Sequence, residues 1–352
     1  MNTHHAIKGN LLGLAVGDSI GLPFEGLCPK RRIRLFGKDL CHCLLWNKGM
    51  FSDDTEHSCM IAQSLISHFD NHESFAKCFA NKLRFWLLGL PVGIGMSTLK
   101  SILKLCVGIS IKKSGVFSAG NGPAMRSSVI GVFFYDDYEQ LKKFVYTSTI
   151  ISHTDPKAYN GALTIALASS IAIKQADISP QDFYKLIVEC IDKEDSEYLS
   201  IMRTIVTSID QGESTMDFAK NLGLEKGVSG YMYHTVPVVI HCWLTNQCDY
   251  KKGITEIIEC GGDSDTTASI LGGIIGARVG KEGIPEDWLK NIADYPRSIQ
   301  WIEGLSDELA RVKLTQQAGI QKKISVPVLI LRNILFFIAV LTHGFRRLLP
   351  PY

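Results

Sequence analysis

The chain has 352 residues, 46% of them hydrophobic and 20% charged, with a formal net charge of +2. That composition belongs to a globular protein and excludes a disordered one. The near-balance of charge gives no electrostatic case for a nucleic acid partner. Ten cysteines are scattered without a CxxC. Cys41-His42-Cys43 has no second pair at zinc-finger spacing, so free thiols in a reducing, cytoplasmic setting are expected. The first ten residues hold no apolar run behind a basic stretch, so no secretory signal is expected.

Taken in order, His4–Asp18 reads as a helix with Gly9, Gly13, Ala15 and Gly17 on a small face that packs tightly in an interior. Asp18 either stands behind a metal site or caps the turn at Ser19–Gly21. Glu25 follows Pro23 on a loop. Cys28–Met50 carries Lys30, Arg31, Arg32 and Arg34 with few apolar repeats and reads as a basic surface loop. In Phe51–Thr55, FSDDT, Ser52 is a natural N-cap and Glu56 is close to capping-box spacing. Asp53 and Asp54 then open a helix to His68, and adjacent carboxylates repel unless a cation or protons neutralise them.

Helices at Ser74–Leu88 and Ser97–Leu105 follow, with GLPVGIGMST between them. Phe117–Met125, FSAGNGPAM, is a Gly/Ser/Asn-rich loop that enters a helix at Pro123. Its backbone N–H groups suit a phosphate. His153 precedes a helix over Lys157–Ile173 and is either a structural hydrogen-bonder or a ligand-facing group. Gln181–Ile191 carries the helical stripe Phe183, Leu186, Ile187 and Cys190. Further helices read at Glu197–Ile209, Tyr231–Leu244 and Tyr250–Cys260, and Val228–Met232 reads as a loop opening onto a site. No strand alternation, repeat or low-complexity linker is visible, so the expectation is an all-α fold: a single compact multi-helix domain over residues 1–325.

Glu259–Gly280, ECGGDSDTTASILGGIIGARVG, places Asp263 and Asp265 among the hydroxyls of Ser264, Thr266 and Thr267 at the start of a helix rich in small residues. Gly261 and Gly262 let the backbone turn sharply before the acids. Oxygen-only donors of this kind suit Mg²⁺ or Mn²⁺. With FSDDT, this stretch is either one half of a binuclear oxygen site in a central cleft or a helix cap with a spare acid.

Five stretches in order resemble the ADP-ribosylglycohydrolase family: GNLLGLAVGDSIGLPFE (Gly9–Glu25), SDDT, FSAGNGPAMRSSVIG (Phe117–Gly131), SHTDPKAYNGA (Ser152–Ala162) and GGDSDTTASILGGIIGARVG. The resemblance covers Ile7 to Trp288. It implies two Mg²⁺ or Mn²⁺ ions, with Ser52, Asp53 and Asp54 on one side and Asp263, Asp265 and Thr266 on the other. It implies hydrolytic removal of ADP-ribose from an ADP-ribosylated protein, with an arginine linkage first and a serine linkage second. Asp54 and Asp265 would serve catalysis, and Glu25 would stand beside the metals and the scissile bond. Ser118, Gly120, Asn121, Gly122 and His153 would hold ADP-ribose.

Two departures from the family pattern stand out. Ala119 follows Ser118 where some relatives place an aromatic residue. Gly93 stands where arginine-directed relatives carry an aspartate. A second reading is therefore a protein that binds ADP-ribose in the same pocket with little or no turnover, as a reader or as a neutraliser of a toxin ADP-ribosyltransferase. A third, a two-metal phosphoesterase, shares the acids but has no need of the Gly-Asn-Gly loop.

The tail forms the second unit, residues 326–352. Val326–Leu341, VPVLILRNILFFIAVL, is long enough for most of a bilayer crossing. Arg332 and Asn333 interrupt it, and a central Arg costs roughly 2.5–3.5 kcal/mol on insertion. Two readings stand: a helix docked on the body, or a membrane contact through residues 326–347 with Arg346 and Arg347 at the headgroups. The second would make the protein cytoplasmic but peripheral to the membrane.

Overall fold

Two helices whose backbones touch form the centre of the molecule. The computed structural model describes residues 3–174, 177–191 and 195–349. The N-terminal helix, Thr3–Gly21, has glycine at every fourth position from Gly9 to Gly21. Four residues are close to one helical turn, so these glycines form a bare stripe. The glycine helix, Ser264–Val279, runs antiparallel to it and presents Gly276, Gly272, Ala268 and Ser264 in turn. A Cβ on Gly9 would lie 2.0 Å from the Gly276 carbonyl oxygen, one on Gly13 2.3 Å from Gly272 O, and one on Gly17 2.1 Å from Ala268 O. Only hydrogen fits there. The Tyr250 hydroxyl donates to Gly13 O at 2.5 Å, and the Asn10 amide donates to Gly273 O at 2.8 Å. Both helices are buried along almost their whole length, as a helix apolar on all sides must be.

The helices Asp53–His68, Ser127–Phe133, Pro156–Ala172, Met232–Thr245 and Ile299–Thr315 pack around this pair. One continuous apolar core runs through them. Among the described residues there is no sheet, only isolated bridges between loops, and the chain is an all-α domain. Most helices expected from the sequence form within one or two residues of their predicted ends, as Lys157–Ile173 becomes Pro156–Ala172, while the one expected over His4–Asp18 runs on to Gly21. The basic stretch is a correction, because Pro29–Phe36 within it is helical rather than a loop. Pro29 occupies the first turn, where a missing N–H costs nothing. Arg32 is buried with its guanidinium 5.8 Å from the Phe24 ring and 3.6 Å from Glu259.

The tail forms one helix, Val326–Arg346, laid along the body. Its midpoint is fixed by charge. Arg332 is buried, pairs with Asp294 at 2.5 Å, lies 3.8 Å from Glu56, and donates to Phe51 O at 2.6 Å. Asn333 donates to Gly89 O at 2.7 Å. Leu329, Phe336 and Ala339 complete the buried face.

Two outcomes follow from this packing. Gly13→Val inserts carbon into a backbone contact and should cost about 3 kcal/mol or more, read as a lower melting temperature; Gly95→Ala, whose Cβ would meet nothing nearer than 4.0 Å, should leave it unchanged. Arg332→Ala strips a partner from the buried Asp294 carboxylate and should cost about 3–5 kcal/mol, with proteolysis of the released tail as the second readout.

Candidate active site

The first acid turn is held from behind. Ser52 caps the helix Asp53–His68: its hydroxyl accepts from Asp54 N at 3.2 Å and donates to Asp54 Oδ2 at 3.0 Å. Asp18, on the N-terminal helix, accepts from Ser52 N at 3.0 Å, Thr55 N at 3.1 Å and Thr55 Oγ1 at 2.5 Å. Asp18 thus fixes this turn and does not cap Ser19–Gly21. Phe51 N donates to Asp294 Oδ2 at 3.1 Å, so the pair that anchors the tail also holds this turn.

The second acid turn depends on glycine. Gly261 and Gly262 have φ of +69° and +81°, and a Cβ on Gly262 would lie 2.1 Å from Val228 O. The turn is clamped on both sides, with Gly26 N donating to Gly262 O at 2.7 Å and Asp263 N donating to Val228 O at 2.8 Å. The first clamp brings Glu25 beside Asp263. Ser264 Oγ donates to Gly21 O at 2.9 Å, tying the acids to the end of the N-terminal helix. Thr266 Oγ1 donates to Asp54 Oδ2 at 3.1 Å, joining two motifs 212 residues apart.

This clustering costs electrostatic energy. Asp54 and Asp265 are buried, while Asp53 and Asp263 are half-buried. Burial, then Asp18 and Glu56, pushes Asp53 up to about 8. Burial with Asp18, Asp53 and Asp263 holds Asp54 well above the usual carboxylate range. Burial with Glu25, Asp263 and Asp54 does the same to Asp265. Burial lifts Asp18 to about 6 against its four hydrogen bonds. Among the described residues, Oδ1 of Asp54 and Oδ1 of Asp265 are buried with no hydrogen-bond partner. Carboxylates in this condition require protons or cations. The donors are all oxygen and the unpartnered atoms lie on both turns, which fits hard divalent ions. As arranged, no three His, Cys, Asp or Glu side chains among the described residues close on one ion, and Asp54 Oδ2 faces the two hydroxyls instead.

Opposite the acids lies the Gly-rich loop. Asn121 donates through Nδ2 to Asp263 Oδ2 at 2.7 Å and to Thr235 Oγ1 at 3.0 Å. Asn121 N donates to Gly230 O at 2.9 Å, and Met232 N to Ala119 O at 2.8 Å, so the loop is paired with Val228–Met232. A Cβ on Gly120 would lie 3.1 Å from His153 Nε2, and one on Gly122 3.2 Å from its Cε1. The backbone therefore passes directly over the imidazole. Ser118 Oγ accepts from Gly120 N at 3.3 Å, and Ser118 is not among the residues that line the cleft.

His153 is buried; its Nδ1 meets Ser152 Oγ at 2.9 Å. Burial and the Arg126 guanidinium push it down to about 3, so it is a neutral imidazole. Arg126 is itself buried and donates to Ser152 Oγ at 2.7 Å and Gly122 O at 3.0 Å. It braces both the histidine and the loop, a part that its place inside the quoted motif did not reveal.

These residues enclose a cleft of about 330 Å³. Glu25, Ser52, Asp53, Asp263, Asp265 and Thr266 line it from one side and Gly120, Asn121, Gly122 and His153 from the other. Gly93 also lines it with φ +82° and open space where a side chain would start; no carboxylate stands there. Phe336 and Val340 of the tail helix form part of its wall, which periodicity could not foresee. A larger cavity of about 690 Å³, lined in part by Lys77, Lys82, Trp86 and Lys322, contains none of these acids. His42 is a structural residue: its ring nitrogens meet Trp288 O at 2.7 Å and Ser19 Oγ at 3.1 Å.

A model of the ADP-ribosylglycohydrolase family matches residues 1–319. The chain is 26% identical over 343 residues to the ADP-ribosylhydrolase ARH3 of Xenopus tropicalis, across 85% of this chain and 94% of that one. It is 24% identical over 303 residues to the ADP-ribosyl-[dinitrogen reductase] glycohydrolase of Rhodospirillum rubrum, across 83% and 91% respectively. The solved structure of an ADP-ribosylglycohydrolase-related protein complex shares the fold, with a TM-score of 0.66 over 89% of this chain and 99% of its own at 21% identity. The match spans both acid turns, the Gly-rich loop and His153, and the chain belongs to the ADP-ribosylglycohydrolase family, enzymes that hydrolyse a glycosyl bond.

Proposed function

We propose that this protein removes ADP-ribose from a modified protein side chain by metal-dependent hydrolysis at the ribose anomeric carbon. The observation that carries this reading is the junction of the two acid turns through Thr266 and Asp54, with Oδ1 of Asp54 and Oδ1 of Asp265 buried and unpartnered, and with Asp53, Asp263 and Asp265 lining the same cleft as the glycine loop while Asp54 stands behind it. Two Mg²⁺ or Mn²⁺ ions held by Ser52, Asp53 and Asp54 and by Asp263, Asp265 and Thr266 would fix the ribose hydroxyls and polarise water. Gly120 N and Asn121 N already donate to Ser118 Oγ and Gly230 O, so the loop would meet the pyrophosphate through Gly122 N and the side-chain-free backbone at Gly120 and Gly122, with neutral His153 beneath it. Glu25 stands over Asp263 at the mouth, pushed up by its crowded surroundings and by that neighbour. It takes a proton from the attacking water as the bond from the anomeric carbon to the leaving group breaks, and that proton passes on to the departing guanidine nitrogen or serine oxygen. Asp54 and Asp265 stabilise the positive charge that develops on the ribose. The acidic mouth suits a guanidinium leaving group, so an arginine linkage is the first candidate and a serine linkage the second.

The open position at Gly93 favours one other reading: ADP-ribose binding with little turnover, as a reader or as a partner that neutralises a toxin ADP-ribosyltransferase. A release assay on ADP-ribosylated arginine and serine peptides, with and without Mg²⁺, separates the two. Wild-type protein that binds ADP-ribose and releases none from either peptide is a binding protein.

Asp53→Ala and Asp265→Ala should each abolish Mn²⁺ binding in calorimetry and lower release by about 100-fold or more, with circular dichroism unchanged; Mn²⁺ binding that survives in both removes the metals from the mechanism. Glu25→Gln should keep ADP-ribose affinity and lower the release rate by about 10²–10⁴-fold. Gly120→Val, which presses on His153, should weaken ADP-ribose binding about tenfold or more while sparing the metal, and an unchanged affinity would show that the loop does not contact the ligand.

A further inference from the structure

The tail helix Val326–Arg346 is built inside out. Its polar residues face the body: Arg332 on Asp294 and Phe51 O, Asn333 on Gly89 O, and His343 on Pro23 O at 2.9 Å. Its solvent face is Leu331, Ile334, Leu335, Ile338, Leu341 and Phe345, from 43% to 67% exposed. Steps of three and four make these one continuous stripe along the helix. Thr342, the polar residue within the stripe, turns its hydroxyl back onto Ile338 O at 2.8 Å. Leu88 and Leu90, on either side of the Gly89 that receives Asn333, are exposed as well. Single exposed apolar residues are ordinary, but a contiguous strip of branched aliphatic and aromatic side chains marks a surface that is covered in use.

Charge identifies what covers it. No Asp or Glu follows Glu308 in the sequence. Lys322 and Lys323 precede the helix and Arg346 closes it, all three exposed. Exposed Lys30 and Arg31 join the far end, where Arg31 donates to Arg347 O at 3.2 Å. An apolar stripe with basic groups at both ends matches an anionic bilayer surface, where acyl chains meet the stripe and headgroups meet the ends.

We propose that the outer face of Val326–Arg346 docks this protein flat on an anionic lipid bilayer, with the helix in the plane of the interface. Among the described residues this is the one helix whose length and composition would also permit a crossing. A crossing would pull Arg332 from Asp294 and Asn333 from Gly89, and would remove Phe336 and Val340 from the cleft wall. A second copy of the chain is the other apolar cover. Paired across this face, two tails would set like charges together in either orientation, because both ends of the helix are basic.

The test is co-sedimentation of the full chain with phosphatidylcholine vesicles and with vesicles that also contain phosphatidylglycerol. The protein should pellet with the anionic vesicles, and less so as salt is raised. Leu335→Glu/Ile338→Glu should weaken that binding by about tenfold or more, with melting temperature and ADP-ribose affinity unchanged. Lys323→Glu/Arg346→Glu should remove the preference for anionic lipid. No pelleting with anionic vesicles at low salt overturns the proposal. So does a dimer in light scattering that Leu335→Glu/Ile338→Glu dissolves while vesicles bind neither protein. Binding that resists alkaline extraction overturns the in-plane geometry in favour of insertion.

Discussion

Everything else in this molecule hangs on two helix backbones in contact. The glycine stripe of Thr3–Gly21 against Gly276, Gly272 and Ala268 leaves no room for side chains, so the distance between the two helices is set by main-chain atoms. Side-chain packing can relax by rotamer changes; a backbone contact cannot. Each helix carries part of the chemistry at the same end of the pair. Asp18, near the C-terminus of one, holds Ser52 and Thr55, while Asp263 and Asp265 open the other, and Ser264 bonds to Gly21 across the gap. The rigid pair is a jig on which two acid turns far apart in sequence are brought within hydrogen-bonding range.

That jig also explains how the protein tolerates the carboxylates. Buried acids of like charge repel, and the chain answers with hydroxyls and amides: Ser52 and Thr266 on Asp54, Asn121 on Asp263, Ser52 N and Thr55 on Asp18. These donors relieve some of the oxygen atoms and leave others bare. Like charges crowded at one place, with Oδ1 of Asp54 and Oδ1 of Asp265 left without partners, support the cation-dependent reading proposed above.

The acid turns and the glycine loop were legible in the sequence because each is local: an N-cap serine, adjacent acids or a glycine pair leaves its mark within a few residues. The helix at Pro29–Phe36 was hidden because its Lys and Arg residues read as solvated, although Arg32 lies under Phe24. Asp18 was legible as an acid at a helix end but not as the holder of Ser52, because that contact joins separate segments. Arg126 and Phe336 were missed for the same reason. A buried arginine that braces a loop, or an aromatic that closes a cleft, has no signature until the tertiary structure puts it next to what it serves.

The tail has a bearing on how this protein differs from its kin. The family match ends at residue 319, and Phe336 and Val340 lie beyond it. The floor of the cleft is therefore family property, while one of its walls is supplied by a segment outside the shared region. That wall reaches inward again through Arg332, which binds the carbonyl of Phe51, the residue before the first acid turn. Divergence in such an appended helix can reshape the cleft and adjust the acid turn without altering one residue of the inherited motifs. Two members with identical motifs can then present different clefts, and comparison of the motifs alone would not tell them apart.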